Sequence, residues 1–312
     1  MNARPSPERA APVLAGAYAR LDDLIALRHQ PLPEGRLQRA AGAPGGARLS
    51  RLKGRGIDFA EVRLYQPGDD VRSIDWRVTA RKARPHTKVY REERERPTLI
   101  VLDQTRTMFF GSKRRMKSVA AAEVAARLAW HALDRGDRVG GIVIEDTTEH
   151  VLRPHRSPRA VLRLLHQIAH SNARLARTLP RTDHGPIERA LEHLTRIART
   201  GHRVYLVSDL EHLSARAEQL AKRLARHNSV VAIVVNDELE RGLPPADAYL
   251  VTDGAVRLQL DSASTTARDE YAARFAARRR DLAGLCRSVQ IELIELMTHE
   301  DAFDRLKRRL QH

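Results

Sequence analysis

Two aspartates stand where runs of apolar residues stop. Asp103 directly follows Leu99-Ile100-Val101-Leu102, and Asp209 follows Val204-Tyr205-Leu206-Val207 with only Ser208 between. Hydroxyls alternate after the first of them, in Asp103-Gln104-Thr105-Arg106-Thr107, so a tight loop could turn Asp103, Thr105 and Thr107 toward one point. Carboxylates, hydroxyls and water are the hard oxygen ligands that Mg²⁺ or Mn²⁺ prefers, and Mg²⁺ keeps several waters where few carboxylates are offered. A lone acid at a strand end is usually a helix cap. The second acid and the two alternating hydroxyls lift this pair above that reading.

Other chemistry is less well supported. His166 and His170 lie one helical turn apart, but Gln167 stands where a zinc protease needs Glu, and a third ligand is not apparent. Gly54-Arg55-Gly56 is a fragment of a dinucleotide fingerprint without the strand-to-helix setting, and reads as a turn. The sequence has no Walker-type phosphate loop, no G-x-S-x-G elbow and no Cys-His nucleophile signature. Asp69, Asp70 and Asp75 among Arg63, Arg72, Arg77 and Arg81 could hold an anion or nucleotide. An ion-pair network at a domain junction, with Trp76 as its apolar anchor, is the favoured reading of that cluster.

The elements that would position Asp103 and Asp209 alternate between strand and helix after Pro97, the pattern of a mostly parallel sheet covered on both faces. Strands are expected at Thr98–Leu102, Arg138–Ile144, Arg203–Val207, Val230–Val235 and Val289–Ile294, with Thr148–Leu152 as a short hairpin partner. Helices are expected at 116–133, 158–170, 186–200, 214–227 and 268–285. In open sheets of this kind ligands gather beyond the carboxyl ends of the strands, where both aspartates fall. Upstream, Leu14, Tyr18, Leu21 and Ile25 have helical spacing within 7–27, and a polar Gly- and Pro-containing linker follows. Short alternating runs around Gln66-Pro67-Gly68-Asp69 point to a small β-rich unit with a type II turn. The organisation read from the sequence is therefore 1–50, N-terminal helix and linker; 51–96, β-rich unit; 97–312, α/β domain.

Composition narrows the function classes. With 42% hydrophobic but only 4% aromatic residues, Leu, Val, Ile and Ala must fill the core. The single cysteine, Cys286, excludes an intramolecular disulfide and a cysteine zinc cluster, so the cytoplasm is the default location and a packed thiol the default role. No apolar run approaches the ~18 residues of a membrane helix. The net charge of +16 attracts nucleic acid, anionic lipid or an acidic protein. Because the excess Arg is dispersed, without a basic block or an aromatic-interleaved groove, nucleic acid is a rival reading and not the leading one.

The loop beginning at Asp103 resembles the metal-ion-dependent adhesion site of von Willebrand factor A domains, which uses D-x-S-x-S, a Thr from a second loop and an Asp from a third. Asp103, Thr105 and Thr107 match the first loop with Thr for Ser, and Asp209 matches the third. The second loop departs from the pattern, since Gly185 falls at the expected Thr and leaves Thr182 or Asp183 as substitutes, so weak metal affinity is expected. Phe110-Gly111-Ser112, Lys117 and Asp134-Arg135-Gly136-Asp137-Arg138-Val139-Gly140 also resemble this domain as bacteria use it. Gly54-Arg55-Gly56-Ile57-Asp58-Phe59, Glu61, Arg63, Tyr65, Pro67-Gly68-Asp69-Asp70, Arg72, Ile74-Asp75-Trp76 and Ala80-Arg81 look like the bacterial family called domain of unknown function 58. The resemblance spans about Leu52 to Asp209.

It implies an α/β fold, a von Willebrand factor A-like (Rossmann-type) mostly parallel sheet with helices on both faces, plus a small N-terminal β-rich unit. Members of the family are often encoded beside MoxR-type AAA+ ATPases, and this chain resembles the subset without membrane helices. The expectation is a non-enzymatic, divalent-metal-dependent protein interaction module, an adaptor or cochaperone of such an ATPase. Mg²⁺ or Mn²⁺ would be held by Asp103, Thr105, Thr107, Asp209 and Thr182. A metal-dependent hydrolase is the other rival, and His184 is its one obvious general base.

Overall fold

The computed structural model describes residues 14–33, 57–67, 69–92, 96–175, 185–211, 213–244, 248–252 and 257–311. These fall into two compact units, one within Gly42–Glu95 and the other formed by the remainder.

In the smaller unit, β1 (Ile57–Leu64) runs antiparallel to β2 (His86–Glu92), with a bulge between Phe59 and Glu61. The turn Gln66–Asp69 is closed by a 3.0 Å bond from the Asp69 N–H to the Gln66 carbonyl, while Gly68, which would carry the type II conformation, lies outside the described residues. Three acids of this unit make local bonds. Asp69 accepts from Arg63 at 2.7 Å and from the Gln66 N–H at 2.9 Å. Asp70 caps the short turn Val71–Ser73, and Asp75 caps the helix α2 (Trp76–Lys82) through the Arg77 and Val78 N–H groups. Trp76, expected to be an apolar anchor, stands at the first position of α2 and is 68% exposed.

The larger unit begins with α1 (Leu21–Ala26), continued by a 3₁₀ turn over Leu27–His29. The helix expected over 7–27 is shortened. Gly16 has φ +89°, and its backbone pairs with the strand-like stretch at Arg114 to Met116, which a helical path would not allow. Residues 1–13 and 34–50 lie outside the described residues. The described part of the segment is no free linker, since Leu14, Leu24, Leu27 and Leu32 are buried in the core and the Trp130 indole donates to the Leu24 carbonyl at 3.2 Å.

From Thr98 onward come β3 (Thr98–Asp103), α3 (Lys117–Asp134), β4 (Val139–Ile144), β5 (Glu149–His155), α4 (Pro158–Arg174) and α5 (Gly185–Ile197). Then follow β6 (Arg203–Ser208), α6 (Ala215–Ala225), β7 (Ser229–Asn236), α7 (Glu238–Arg241), the hairpin β8 (Ala248–Thr252) and β9 (Arg257–Asp261), α8 (Thr265–Ser288), β10 (Glu292–Met297) and α9 (Ala302–Gln311). One six-stranded sheet has the order β10-β7-β6-β3-β4-β5, all parallel except the edge strand β5. Alternate residues of β3 feed two cores: Ile100 and Leu102 pack with α1, α3, α4 and α9, while Leu99 and Val101 pack with α5 and α6. Burial on both faces explains why β3, β6 and β7 read as unbroken apolar runs. Each Leu, Val or Ile so buried contributes about 1.5–3 kcal/mol.

This is a mixed α/β fold with helices on both faces of a mostly parallel sheet. β10 starts three residues later than expected because Gln290, at φ +59°, first turns the chain out of α8. Among the described residues, no helix is long and apolar enough to cross a membrane.

Candidate metal-binding site

From β3 the chain moves to β4 on one side, and β6, β7 and β10 are laid down on the other. The crevice beyond the carboxyl ends of β3 and β6 is therefore the point where the winding reverses, the place where open α/β sheets bind ligands. Asp103 closes β3 and Asp209 follows β6, and these strands are direct parallel neighbours with Leu102 opposite Val207.

Asp103 is 2% exposed and its carboxylate is well supplied with donors. Oδ1 accepts from the Thr105 N–H at 2.9 Å and the Thr105 hydroxyl at 2.7 Å, and Oδ2 accepts from the Ser208 hydroxyl at 2.6 Å. Ser208 thus links the two acidic strand ends. The Thr105 and Thr107 hydroxyls are 3.1 Å apart, and the Thr107 hydroxyl also favours the charged form of Asp209 by hydrogen bonding to it. Asp209 Oδ1 accepts from the Glu211 N–H at 3.2 Å, while Oδ2 accepts from Lys117 Nζ at 2.9 Å. Lys117, at the start of α3 and 1% exposed, bonds at the same time to Glu240 Oε1 at 2.5 Å.

The loop is held from below and from the side. Gln104 is buried, donating to the Ser118 carbonyl at 3.0 Å and accepting from Asn172 of α4 at 2.9 Å. The Arg106 N–H is shared by the two carboxylate oxygens of Asp146 beyond β4, at 3.1 and 3.2 Å, and its guanidinium donates to the Leu175 carbonyl. With the residues between Asp103 and Thr107 pinned this way, the hydroxyls of Thr105 and Thr107 have little freedom to turn elsewhere.

Charge is unevenly balanced across the site. Burial and the neighbouring Asp209 charge push the Asp103 carboxyl up to about 6, against the hydrogen bonds from Ser208 and Thr105. At Asp209 burial works upward most strongly of any single cause, but the Lys117 ammonium together with the Glu211 N–H and the Thr107 hydroxyl holds this carboxyl below its ordinary range. Lys117 is raised: burial opposes its charge, and Asp209 and Glu240 more than restore it. Burial leaves Glu240 raised in spite of Lys117.

Four of the five residues read from the sequence as ligands, Asp103, Thr105, Thr107 and Asp209, are brought together. Thr182, with Asp183 and His184, lies outside the described residues. Sequence reasoning did not find Ser208, Asp146, Asp237 and Glu240 as parts of the site. A signal for the last two was present, because Asp237 and Glu240 follow the buried strand β7 just as Asp103 follows β3.

The donor set suits a hard divalent cation. Adjacent oxygens around octahedral Mg²⁺, with bonds of about 2.1 Å, stand about 3 Å apart, and the two threonine hydroxyls have that separation. The raised Asp103 carboxyl is what two buried carboxylates produce when one ammonium serves only one of them. Among the described residues no group of three or more His, Cys, Asp or Glu side chains gathers around a metal position, so water would fill much of the shell. His166 and His170 stack with ring centroids 6.4 Å apart on the exposed face of α4, and no zinc cluster forms there among the described residues.

A family model described as "Protein of unknown function DUF58" matches residues 61–281. Uncharacterized protein Rv1480 of Mycobacterium tuberculosis is 31% identical over 271 residues, covering 85% of this chain and 82% of its own, and Uncharacterized protein Mb1516 of Mycobacterium bovis matches equally. Among solved structures, the conserved hypothetical protein BatB from Bacteroides thetaiotaomicron aligns at 14% identity and a TM-score of 0.41, over 69% of this chain and 97% of that one. An aerotolerance-related membrane protein from Bacteroides fragilis aligns at 14% and 0.42, over 69% and 98%.

Proposed function

The chain belongs to the DUF58 family, and from that membership and the geometry of the crevice we propose a von Willebrand factor A-like, divalent-metal-dependent protein interaction module that is not an enzyme. The observation that carries this reading is the meeting of Asp103, Thr105, Thr107 and Asp209 at the switch point of the sheet, with two hydroxyls at the separation of neighbouring metal ligands. Asp103, Asp209 and the two threonines would hold Mg²⁺ or Mn²⁺, with Thr182 as a further candidate. The ion would supply an exchangeable Lewis-acid position at which an Asp or Glu of the partner replaces water. The protein's own contribution is to pin the loop, exclude water from beneath it through Gln104 and Asn172, and keep the two carboxylates side by side.

The resemblance of the upstream motifs makes a MoxR-type AAA+ ATPase, or its client, the expected partner, and the cytoplasm the expected place of work. Capture of the MoxR-type ATPase of the same genome by the tagged full chain, with and without EDTA, tests the proposal. Capture should be lost in EDTA and in Asp103→Ala and Asp209→Ala, while circular dichroism of both variants stays native. Capture unchanged in all three would sink the metal-dependent reading. A phosphoesterase screen with Mg²⁺ and Mn²⁺ should show no turnover; turnover abolished by Asp103→Ala would replace this reading with the hydrolase.

One observation favours nucleic acid as a second reading. A basic concavity of about 670 Å³ is lined by His155, Arg156, Arg159 and Arg163 at the start of α4. Nucleic acid bound there would leave steeply with rising salt and would be indifferent to Asp103→Ala.

A further inference from the structure

We propose that Lys117 is a tethered cation that competes with the divalent ion for Asp209, so that it sets the affinity of the site and links its occupancy to the turn after β7. The inference rests on the metal-dependent reading of the same crevice.

Lys117 is the second residue after Arg115 and opens α3, so its backbone is fixed by the helix while its unbranched four-carbon stem carries the ammonium through the packed interior to the acids. Its ammonium is buried between two acids, 2.9 Å from Asp209 and 2.5 Å from Glu240. A buried ammonium is costly unless paired, and pairing here takes up the Asp209 oxygen that a metal ion would otherwise use. Two carboxylates, those of Asp209 and Glu240, share this one ammonium, and Asp103 adds its charge beside Asp209 without pairing to it. Removing it would deepen the negative field at the site, and in a low-dielectric crevice that field acts strongly on a divalent ion.

The second partner gives the lysine somewhere to go. Glu240 also accepts from the Asp237 N–H at 2.8 Å, completing a reciprocal cap in which Asp237 accepts from the Leu239 N–H at 3.0 Å. The other oxygen of Asp237 receives the Ser112 N–H at 2.9 Å and the Thr298 hydroxyl at 2.5 Å. When the ion draws on Asp209, the ammonium keeps Glu240 as its remaining partner without any movement of α3. The full charge of the ammonium then falls on the cap that joins the loop before α3, the turn after β7 and the end of β10. Metal occupancy is thereby felt at α7, outside the metal's own ligands.

The test is Mn²⁺ binding to the full chain, by calorimetry and by the loss of free Mn²⁺ in electron paramagnetic resonance. The proteins compared are wild type, Lys117→Met, Lys113→Met, Asp103→Ala and the Lys117→Met/Asp103→Ala pair. Lys117→Met should bind Mn²⁺ about tenfold tighter or more, and its melting temperature, lowered without metal, should gain more from Mn²⁺ than that of wild type. Lys113→Met should bind like wild type, because that ammonium pairs with Glu238 at the surface. The double variant should lose the gain. Lys117→Gln, which keeps a polar tip without the charge, gives the same comparison if Met prevents folding. If Lys117→Met binds no tighter than wild type while Asp103→Ala still weakens binding, the competition is wrong and the metal site stands. If wild type and Asp103→Ala bind Mn²⁺ alike, the metal reading fails and takes this inference with it.

Discussion

At the scale of the residue, Asp103 carries the free-energy conflict of the site. In the unfolded chain its carboxyl ionises near 3.8, and in the folded protein near 6, because burial and Asp209 disfavour the charge. A raised carboxyl means that the folded state holds the proton more tightly. Its penalty is therefore absent below about pH 4, grows between about 4 and 6, and is constant above, at up to about 3 kcal/mol for two units. Asp103→Asn removes the ionisation and keeps one carbonyl oxygen for Thr105. In metal-free buffer at pH 8 the variant should be the more stable by about 1–3 kcal/mol in denaturant unfolding, and the advantage should vanish by about pH 4. On the proposed metal-dependent reading, saturating Mg²⁺ should stabilise wild type and leave the variant unchanged, since a ligand stabilises only the state that binds it. An advantage that persists undiminished at pH 4 would mean that its source is packing and not charge.

Placement of these residues depends on the elements beneath them, and how legible those were depends on how each is buried. β3, β6 and β7 could be read because both faces are covered, which demands an apolar residue at every position; their carboxyl ends then pointed to Asp103 and Asp209. Ser208 and Asp146 are not legible, since a serine or aspartate at or just past a strand end is the ordinary composition of a turn, and only the pairing of β3 with β6 and β4 shows what they face. The N-terminal helix was misjudged in length because its spacing continues through Gly16, where tertiary pairing to Arg114 and Met116 overrides local propensity. The hairpin of β8 and β9 and the last helix, α9, are not legible in the sequence, and neither stands next to a site motif. The register of β3 also has a specific lock. A Cβ on Gly141 would lie 2.1 Å from the Ile100 carbonyl oxygen, a backbone atom that cannot swing aside. Gly141→Ala should therefore push β3 and β4 apart and cost about 1–3 kcal/mol, read as a lowered melting temperature. It should also weaken Mn²⁺ binding although residue 141 is at mid-strand and far from any ligand. Unchanged stability would show that the two strands can slide to accommodate a methyl group.

Over the whole molecule, the charge and the site work in opposite senses. The chain carries +16, yet the crevice holds Asp209 and Glu240 around a single lysine with Asp103 beside them, and its neighbouring cavity of about 190 Å³ adds Glu211, Glu218 and Asp281 beside Arg278 and Arg279. An acidic partner would be drawn by the long-range field of the molecule but repelled at the last few ångströms unless a divalent cation sits between its carboxylate and those of the site. The field decays over about 8–10 Å at ordinary ionic strength, whereas a metal–carboxylate bond is made at about 2 Å and is little screened. The two contributions should therefore separate kinetically. With the captured partner immobilised and Mg²⁺ present, raising salt from 50 to 500 mM is expected to slow association several-fold or more, as for other electrostatically steered pairs, with dissociation nearly unchanged. Asp103→Ala should do the reverse, speeding dissociation while leaving the salt dependence of association intact. Should salt and Asp103→Ala act on the same rate constant, the basic surface and the crevice would belong to one contact, and the partner would have to be recognised through its acidic charge alone.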